Sequence, residues 1–246
     1  MQTIGILVFD DVEILDFSGP YEVFTTAERV RRRLHAEAGR RFDCMLVAPS
    51  MHPVRSRGGM LVLPEQALPP AGSIDVLIVP GGEVSAARRD AATIAWIAEQ
   101  ARHADLVASI CTGAFLLAEA GLLDGREATT HWEDCDDLER EFPALRVRRG
   151  VSWVDCGKVV SSGGISAGID MSLHLVERLA GRQLAEATAR QMEYRWNRNG
   201  NHDFCNINDA DDANDANHSR LSSLAAGRAD ARPGRSGGSA PIREPA

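Results

Sequence analysis

The stretch Leu106-Val107-Ala108-Ser109-Ile110-Cys111-Thr112-Gly113-Ala114-Phe115 decides the fold. Its first five residues form a short, mostly apolar run of the kind that fills a strand buried on both faces. From Thr112 to about Ala120 the spacing becomes helical, and Gly121 is placed to cap that helix. A strand that runs directly into a helix holds the residue between them, Cys111, in a sharp turn with its tip facing a pocket. Gly113 and Ala114 leave room for the close backbone approach this needs. Free cysteines are commonly just small buried hydrophobes. The strand, cysteine, small residue, helix setting favours a nucleophile elbow instead. The first N–H groups and positive end of the helix then predict a thiolate, the form that attacks electrophiles.

Working outward, short Val-, Ile- and Leu-rich runs alternate with helical spacing, which predicts an α/β class with a mostly parallel sheet. Residues 3–9 read as the first strand, Gly19-Pro20 as the opening of a helix to Leu34, and 42–48 as the second strand. Ile74 to Val79 is a further buried strand ending at Pro80-Gly81-Gly82, and a helix from Ala86 to His103 follows. Beyond the elbow, strands are expected at 144–149, 151–154 and 157–161, with a turn at Asp155-Cys156-Gly157. Helices over Ile169–Leu179 and Leu184–Trp196 close the domain, 1–198. From Asn199 the composition shifts to Asp, Asn, Ala, Gly, Ser, Arg and Pro, with Phe204 as the one aromatic, so 199–246 reads as a disordered low-complexity tail.

A chain of 246 residues with 44% hydrophobic and 25% charged residues fits one sizeable core. The net charge of -8 disfavours nucleic acid or an anionic membrane as partner, because phosphate binding needs concentrated Lys and Arg. The N-terminus lacks the pattern of a signal peptide and no apolar run reaches spanning length, so a cytoplasmic enzyme of small molecules is expected. Five cysteines without a Cys-x-x-Cys pair argue for reduced thiols. His131, Asp134 and Cys135 supply too few ligands for a metal site. The acidic run Asp209 to Asp215 lacks the glycine and terminal glutamate of a calcium loop. No metal and no cofactor are expected.

Asp16 follows the first strand between apolar neighbours, and it reaches the crevice of Cys111 if the two strands are near neighbours. Burial would disfavour its ionisation and suit it to proton exchange with the thiol or substrate. Capping of the next helix is the alternative, and the two roles are compatible. The Gly81-Gly82 turn could aim an N–H at developing negative charge and, with the N–H of Thr112, form an anion hole.

Several segments together resemble a known family. They are Phe9-Asp10, Leu15-Asp16-Phe17-Ser18-Gly19-Pro20-Tyr21-Glu22-Val23-Phe24, Val79-Pro80-Gly81-Gly82 and Ile110-Cys111-Thr112-Gly113-Ala114, with Leu116 to Arg126, Ala128 to Trp132 and Ser166 to Asp170. They resemble the DJ/PfpI superfamily of class I glutamine-amidotransferase-like folds over about residues 2 to 196, and within it the isonitrile hydratase branch. The resemblance implies a flavodoxin-like three-layer sandwich, a homodimer, and a hydrogen bond between Asp16 and Cys111. Members with deglycase or protease-like activities usually carry glutamate near the cysteine, and protease-like members carry histidine directly after it. Thr112 and Asp16 stand at those places here, matching the hydratase pattern of aspartate, cysteine and threonine.

The expected reaction is therefore hydration of an isonitrile to an N-substituted formamide. Cys111 would be the nucleophile, Asp16 the proton carrier, and Thr112, Gly81 and Gly82 the polar end of a mainly apolar pocket. A glyoxal-type aldehyde substrate and a non-catalytic ligand-sensing domain related to transcription regulators are the alternatives.

Overall fold

The computed structural model describes residues 1–35, 37 and 39–198; the segment 199–246 assigned above to a tail lies outside the described residues. The elements run in the order β1 (Gln2–Leu7), α1 (Ile14–Leu34), β2 (Phe42–Ala48), β3 (Val54–Arg55), β4 (Leu61–Val62), β5 (Gln66–Ala67), β6 (Val76–Val79), α2 (Ser85–Arg89), α3 (Ala91–His103), β7 (Leu106–Ile110) and α4 (Gly113–Glu119). They continue with β8 (Glu127–Ala128), α5 (Cys135–Glu141), β9 (Arg146–Val147), β10 (Trp153–Cys156), β11 (Val159–Ser162), α6 (Ala167–Ala180) and α7 (Arg182–Gln191).

Seven strands form the central sheet in the order β10-β11-β7-β6-β1-β2-β5. Every pairing in it is parallel except β10 with β11. All residues of β6 and β7 are buried, as expected of strands covered on both faces. Helices α1, α6 and α7 pack on one another, as do α2, α3 and α4, which gives the three-layer α/β sandwich. Phe24 of α1 meets Phe42 of β2 edge to face at 5.4 Å, a contact that ties helix to sheet and contributes about 0.5–1.5 kcal/mol beyond its burial.

The α/β class and the parallel sheet agree with the sequence; several boundaries differ. Helix α1 begins at Ile14 rather than at Gly19-Pro20, because Glu13 caps it by accepting the Ile14 N–H at 3.2 Å. Pro20 therefore lies inside the helix, where it is buried. The helix expected over 86–103 is broken at Asp90, whose carboxylate accepts the Ala92 N–H at 3.1 Å and the Thr93 hydroxyl at 2.6 Å to start α3. The last helix ends at Gln191, and Glu193 then takes a left-handed conformation with φ 52°. Strand β10 extends through Cys156, so the hairpin turns at Gly157-Lys158, with Gly157 at φ 83°. The strand expected over 144–149 is reduced to β9, which pairs with β8 outside the main sheet. No described helix is long and apolar enough to cross a membrane.

Candidate active site

Strands β1 and β7 are not neighbours, since β6 runs between them. Asp16, in the first turn of α1, and Cys111, after β7, approach one another across the end of β6, where the backbone of Gly81 borders both. A Cβ on Gly81 would stand 2.6 Å from the Thr112 N and Oγ1 and 2.9 Å from the Cys111 Cβ. Gly113 is as tightly placed, with a Cβ there overlapping the Val79 and Pro80 carbonyls. Glycine at both positions is what lets β6 and the elbow meet.

Cys111 has φ 56°, a conformation that costs a non-glycine residue on the order of 1–3 kcal/mol and persists only where its surroundings enforce it. They do so on both sides. Its N–H is shared between the Ser162 and Gly163 carbonyls at 3.1 and 3.2 Å, and its own carbonyl accepts the Thr130 hydroxyl at 2.8 Å. Helix α4 spans seven residues from Gly113 and starts directly after Thr112.

Asp16 is fully buried. Its Oδ2 accepts the Gly81 N–H at 3.1 Å, while Oδ1 has no hydrogen-bond partner. Burial raises its pKa to about 7, against the lowering pull of the Gly81 and Ile165 N–H groups and the Cys111 thiol. The thiol is thus close enough to influence the carboxyl, but it makes no hydrogen bond of normal length and angle to it, so the Asp16–Cys111 hydrogen bond implied by resemblance is not closed.

The thiol is not activated as the sequence suggested. Burial, followed by the negative charges of Asp16 and Asp134, pushes Cys111 up to about 12, and the N–H and hydroxyl of Thr112 offset this only in part. One short helix end does not outweigh desolvation and two carboxylates. Burial and the two carboxylates thus favour the thiol form of Cys111, beside the buried carboxyl of Asp16.

The glycine turn also plays a different part. The Gly82 N–H donates to Thr112 Oγ1 at 2.9 Å, and the Thr112 hydroxyl donates back to the Gly82 carbonyl at 2.9 Å. Gly81 donates to Asp16. Neither glycine N–H is a free anion-hole donor, and of the proposed pair only the Thr112 N–H acts on the sulfur. The two glycines fix Asp16 and Thr112 instead.

Above the elbow lies a cavity of about 330 Å³ lined by Cys111, Thr112, Phe115, His131 and Ile165. The expectation of a mainly apolar pocket fails, since its walls also carry Glu13, Glu83, Glu133, Asp134, Asp137 and Glu141 against Arg57 and Arg88. His131 Nδ1 faces Asp134 at 3.4 Å and Glu133 at 3.7 Å. Among the described residues no group of three or more His, Cys, Asp or Glu is placed to hold a metal ion.

Ile165, at φ 51° and 43% exposed, lines the cavity while its N–H acts on Asp16; sequence reasoning gave it no role. Its signal was the preceding Gly163-Gly164, where a Cβ on Gly164 would collide with the His131 ring. Thr130, inside the segment Ala128 to Trp132, likewise carries no local signal of its part, although its hydroxyl holds the elbow carbonyl.

Residues 2–178 match the model of the DJ-1/PfpI family. The chain is 37% identical over 192 residues to an isonitrile hydratase of Pseudomonas putida, covering 78% of each chain. It is 35% identical over 163 residues to the HTH-type transcriptional regulator CdhR of Pseudomonas aeruginosa, covering 66% of this chain but 47% of the regulator. The crystal structure of a ThiJ/PfpI family protein from Pseudomonas syringae superposes with a TM-score of 0.69 at 29% identity, over 80% of this chain and 76% of that one. With its sheet order, its left-handed Cys111 between β7 and α4, and a family match over most of its length, the chain belongs to the DJ-1/PfpI family.

Proposed function

We propose that the protein hydrates an isonitrile to the N-substituted formamide through Cys111. The observation that carries this reading is the pairing of a buried thiol with a carboxyl whose pKa is raised to about 7, close enough to exchange a proton yet not locked to it. Similarity to an isonitrile hydratase over 78% of the chain supplies the substrate class.

The thiol proton passes to Asp16 as sulfur bonds to the terminal carbon of R-N≡C. Asp16 returns that proton to the same carbon, which gives the thioimidate R-N=CH-S-Cys111. Water then adds to this carbon, with Asp16 taking its proton and the nitrogen gaining one. Collapse breaks the C–S bond, releases R-NH-CHO and restores the thiol. A carboxyl that titrates near the working pH suits both directions of transfer. Thr112, fixed by Gly82, offers its N–H to charge growing on sulfur.

The test is a steady-state assay of purified protein with p-nitrophenyl isocyanide and with methylglyoxal, alongside Cys111→Ala. Turnover of the isonitrile that disappears in Cys111→Ala is expected. Turnover of the aldehyde alone would sink the reading.

The similarity to a regulator favours a second reading, a ligand-sensing domain that performs no chemistry. It predicts no Cys111-dependent turnover of either compound, but saturable binding that Cys111→Ala retains.

A further inference from the structure

Isonitrile hydration leaves one proton without a donor. Asp16 handles the protons of the thiol and of water, but the nitrogen must gain one as well. Asp16 is fully buried and lies outside the cavity lining. Once sulfur holds the carbon, the R-N end extends into the cavity, where open space lies beside Cys111. The donor to nitrogen is therefore a cavity group.

Arg57 and Arg88 keep their protons permanently. The lining carboxylates are engaged elsewhere. Glu13 and Glu83 accept backbone N–H groups, Asp137 and Glu141 pair with Arg140 and Arg88, and Glu133 and Asp134 face His131. His131 is the one imidazole among the described residues of the lining, and imidazole both gives and accepts a proton near neutral pH.

Two further observations aim it at the reaction. The first is its fixed place relative to the sulfur. The preceding Thr130 hydroxyl is tied to the Cys111 carbonyl at 2.8 Å, and the His131 carbonyl accepts the Asp134 N–H at 3.0 Å. The second is the orientation of the ring. Asp134 and Glu133 face Nδ1 at 3.4 and 3.7 Å, which places a hydrogen there and turns the Nε2 edge away from them. That edge rests on Gly164, where a Cβ would stand 2.3 Å from Cδ2 and 3.3 Å from Nε2. Ile165 follows directly, and its N–H acts on Asp16. Among the described residues Nε2 makes no hydrogen bond.

We propose that His131 is a catalytic residue of the second half-reaction, its Nε2–H protonating the thioimidate nitrogen as water adds to the carbon. This deepens the hydratase reading and rests on it. The water oxygen bonds to carbon, the water proton goes to Asp16, and the proton from His131 gives R-NH-CH(OH)-S-Cys111. On collapse the C–S electron pair returns to sulfur, which takes the proton from Asp16, while the O–H proton goes back to Nε2. R-NH-CHO leaves, with all three side chains in their starting forms.

The test separates formation of the Cys111 adduct from its breakdown in wild type, His131→Gln and His131→Ala, with p-nitrophenyl isocyanide as the probe. Rapid quench and intact mass report the adduct, which is heavier than the free chain by one isonitrile, and chromatography reports the formamide. Adduct formation is expected to stay within about threefold of wild type, while breakdown, and kcat with it, falls roughly 100-fold or more. KM should fall together with kcat, and Cys111 of the variants should carry the adduct at steady state. Added imidazole should speed breakdown in His131→Ala, where the ring has left space, and not in His131→Gln.

Wild-type turnover in the variants overturns the proposal. So does loss of adduct formation in a variant that keeps the wild-type melting temperature, since His131 would then act before the thioimidate exists. Loss of the fold in both variants would leave His131 a packing role against Gly164 and overturn it too. A wild-type protein that forms neither adduct nor formamide removes the hydratase reading and this step together, whereas normal formamide release by His131→Gln removes this step alone.

Discussion

The hydroxyl of Thr112 closes a two-way clamp on Gly82, accepting its N–H and donating to its carbonyl, both at 2.9 Å. Through that clamp the chain after β6 is fixed to the residue after Cys111, and the elbow is held from the side opposite to Ser162 and Gly163. Thr112→Val keeps the shape but leaves the Gly82 N–H and carbonyl without this partner. It is expected to cost about 1–3 kcal/mol in denaturant unfolding, while Thr112→Ser stays within about 1 kcal/mol of wild type. Equal stability of all three proteins would show that the clamp contributes nothing.

Asp16 is expected to link activity and stability with opposite signs. In the unfolded chain its carboxyl titrates near 3.8 and in the fold at about 7, because burial disfavours the charged form. Between those values the folded state keeps a proton that the unfolded state has released, so stability falls as pH rises through this window. The full effect is on the order of 1–4 kcal/mol. Asp16→Asn retains an acceptor for Gly81 and carries no charge. It should flatten that slope and be at least as stable as wild type at pH 8, while turnover falls by roughly 100-fold or more. Parallel slopes for the two proteins, or a variant that is both less stable and equally active, would refute the assignment.

The same titration sets the pH profile. If Asp16 accepts the thiol proton, kcat/KM rises through about pH 7 as the free carboxyl ionises. Cys111, held as a thiol by burial and by Asp16, adds no lower limb. A profile flat from pH 5 to 9, measured with one isonitrile at a concentration well below KM, would place the proton acceptor elsewhere.

Gly81→Ala tests the close approach at the centre of the site. The added methyl would stand 2.6 Å from both the N and the Oγ1 of Thr112 and 2.9 Å from the Cys111 Cβ, so the elbow or the end of β6 must move. A loss of about 2–4 kcal/mol together with loss of turnover is expected. A change this small in side-chain volume that left the melting temperature untouched would mean that the β6 end is not packed as described.

Much of this was legible because it is local. The buried run ending at Cys111 reports its own strand, and the small residues after it report the space they need. What was not legible is either a cap that hydrophobic spacing does not report or a sum over groups far apart in the chain. Glu13 capping moved the start of α1 ahead of Pro20, and the Asp90 cap split one helical pattern in two. The raised pKa of Cys111 sums burial with Asp16 and Asp134, and no local pattern contains those three together. The acidic cavity wall is assembled from loops and helices whose order in space only the sheet topology sets.

Glu28 offers a last test, on the helix layer away from the site. Its carboxylate is 7% exposed and receives Arg31 Nε and Nη2 at 3.2 and 3.0 Å, together with the N–H groups of Arg41 and Phe42 at 3.0 and 3.1 Å. Burial pushes its pKa up, but the Arg31 side chain and the two backbone donors outweigh this, and the net shift is downward. With a folded value below the unfolded one, its contribution is present above the ordinary glutamate range and is lost as pH falls through the folded value. Glu28→Gln keeps one acceptor but loses the charge that four N–H donors share. It should destabilise by about 1–3 kcal/mol at pH 7. The difference from wild type should narrow as pH falls from 5 to 3, when the native carboxylate is itself protonated. Urea midpoints collected across that range decide it, and a gap that stayed constant with pH would mean that Glu28 contributes through packing and not through its charge.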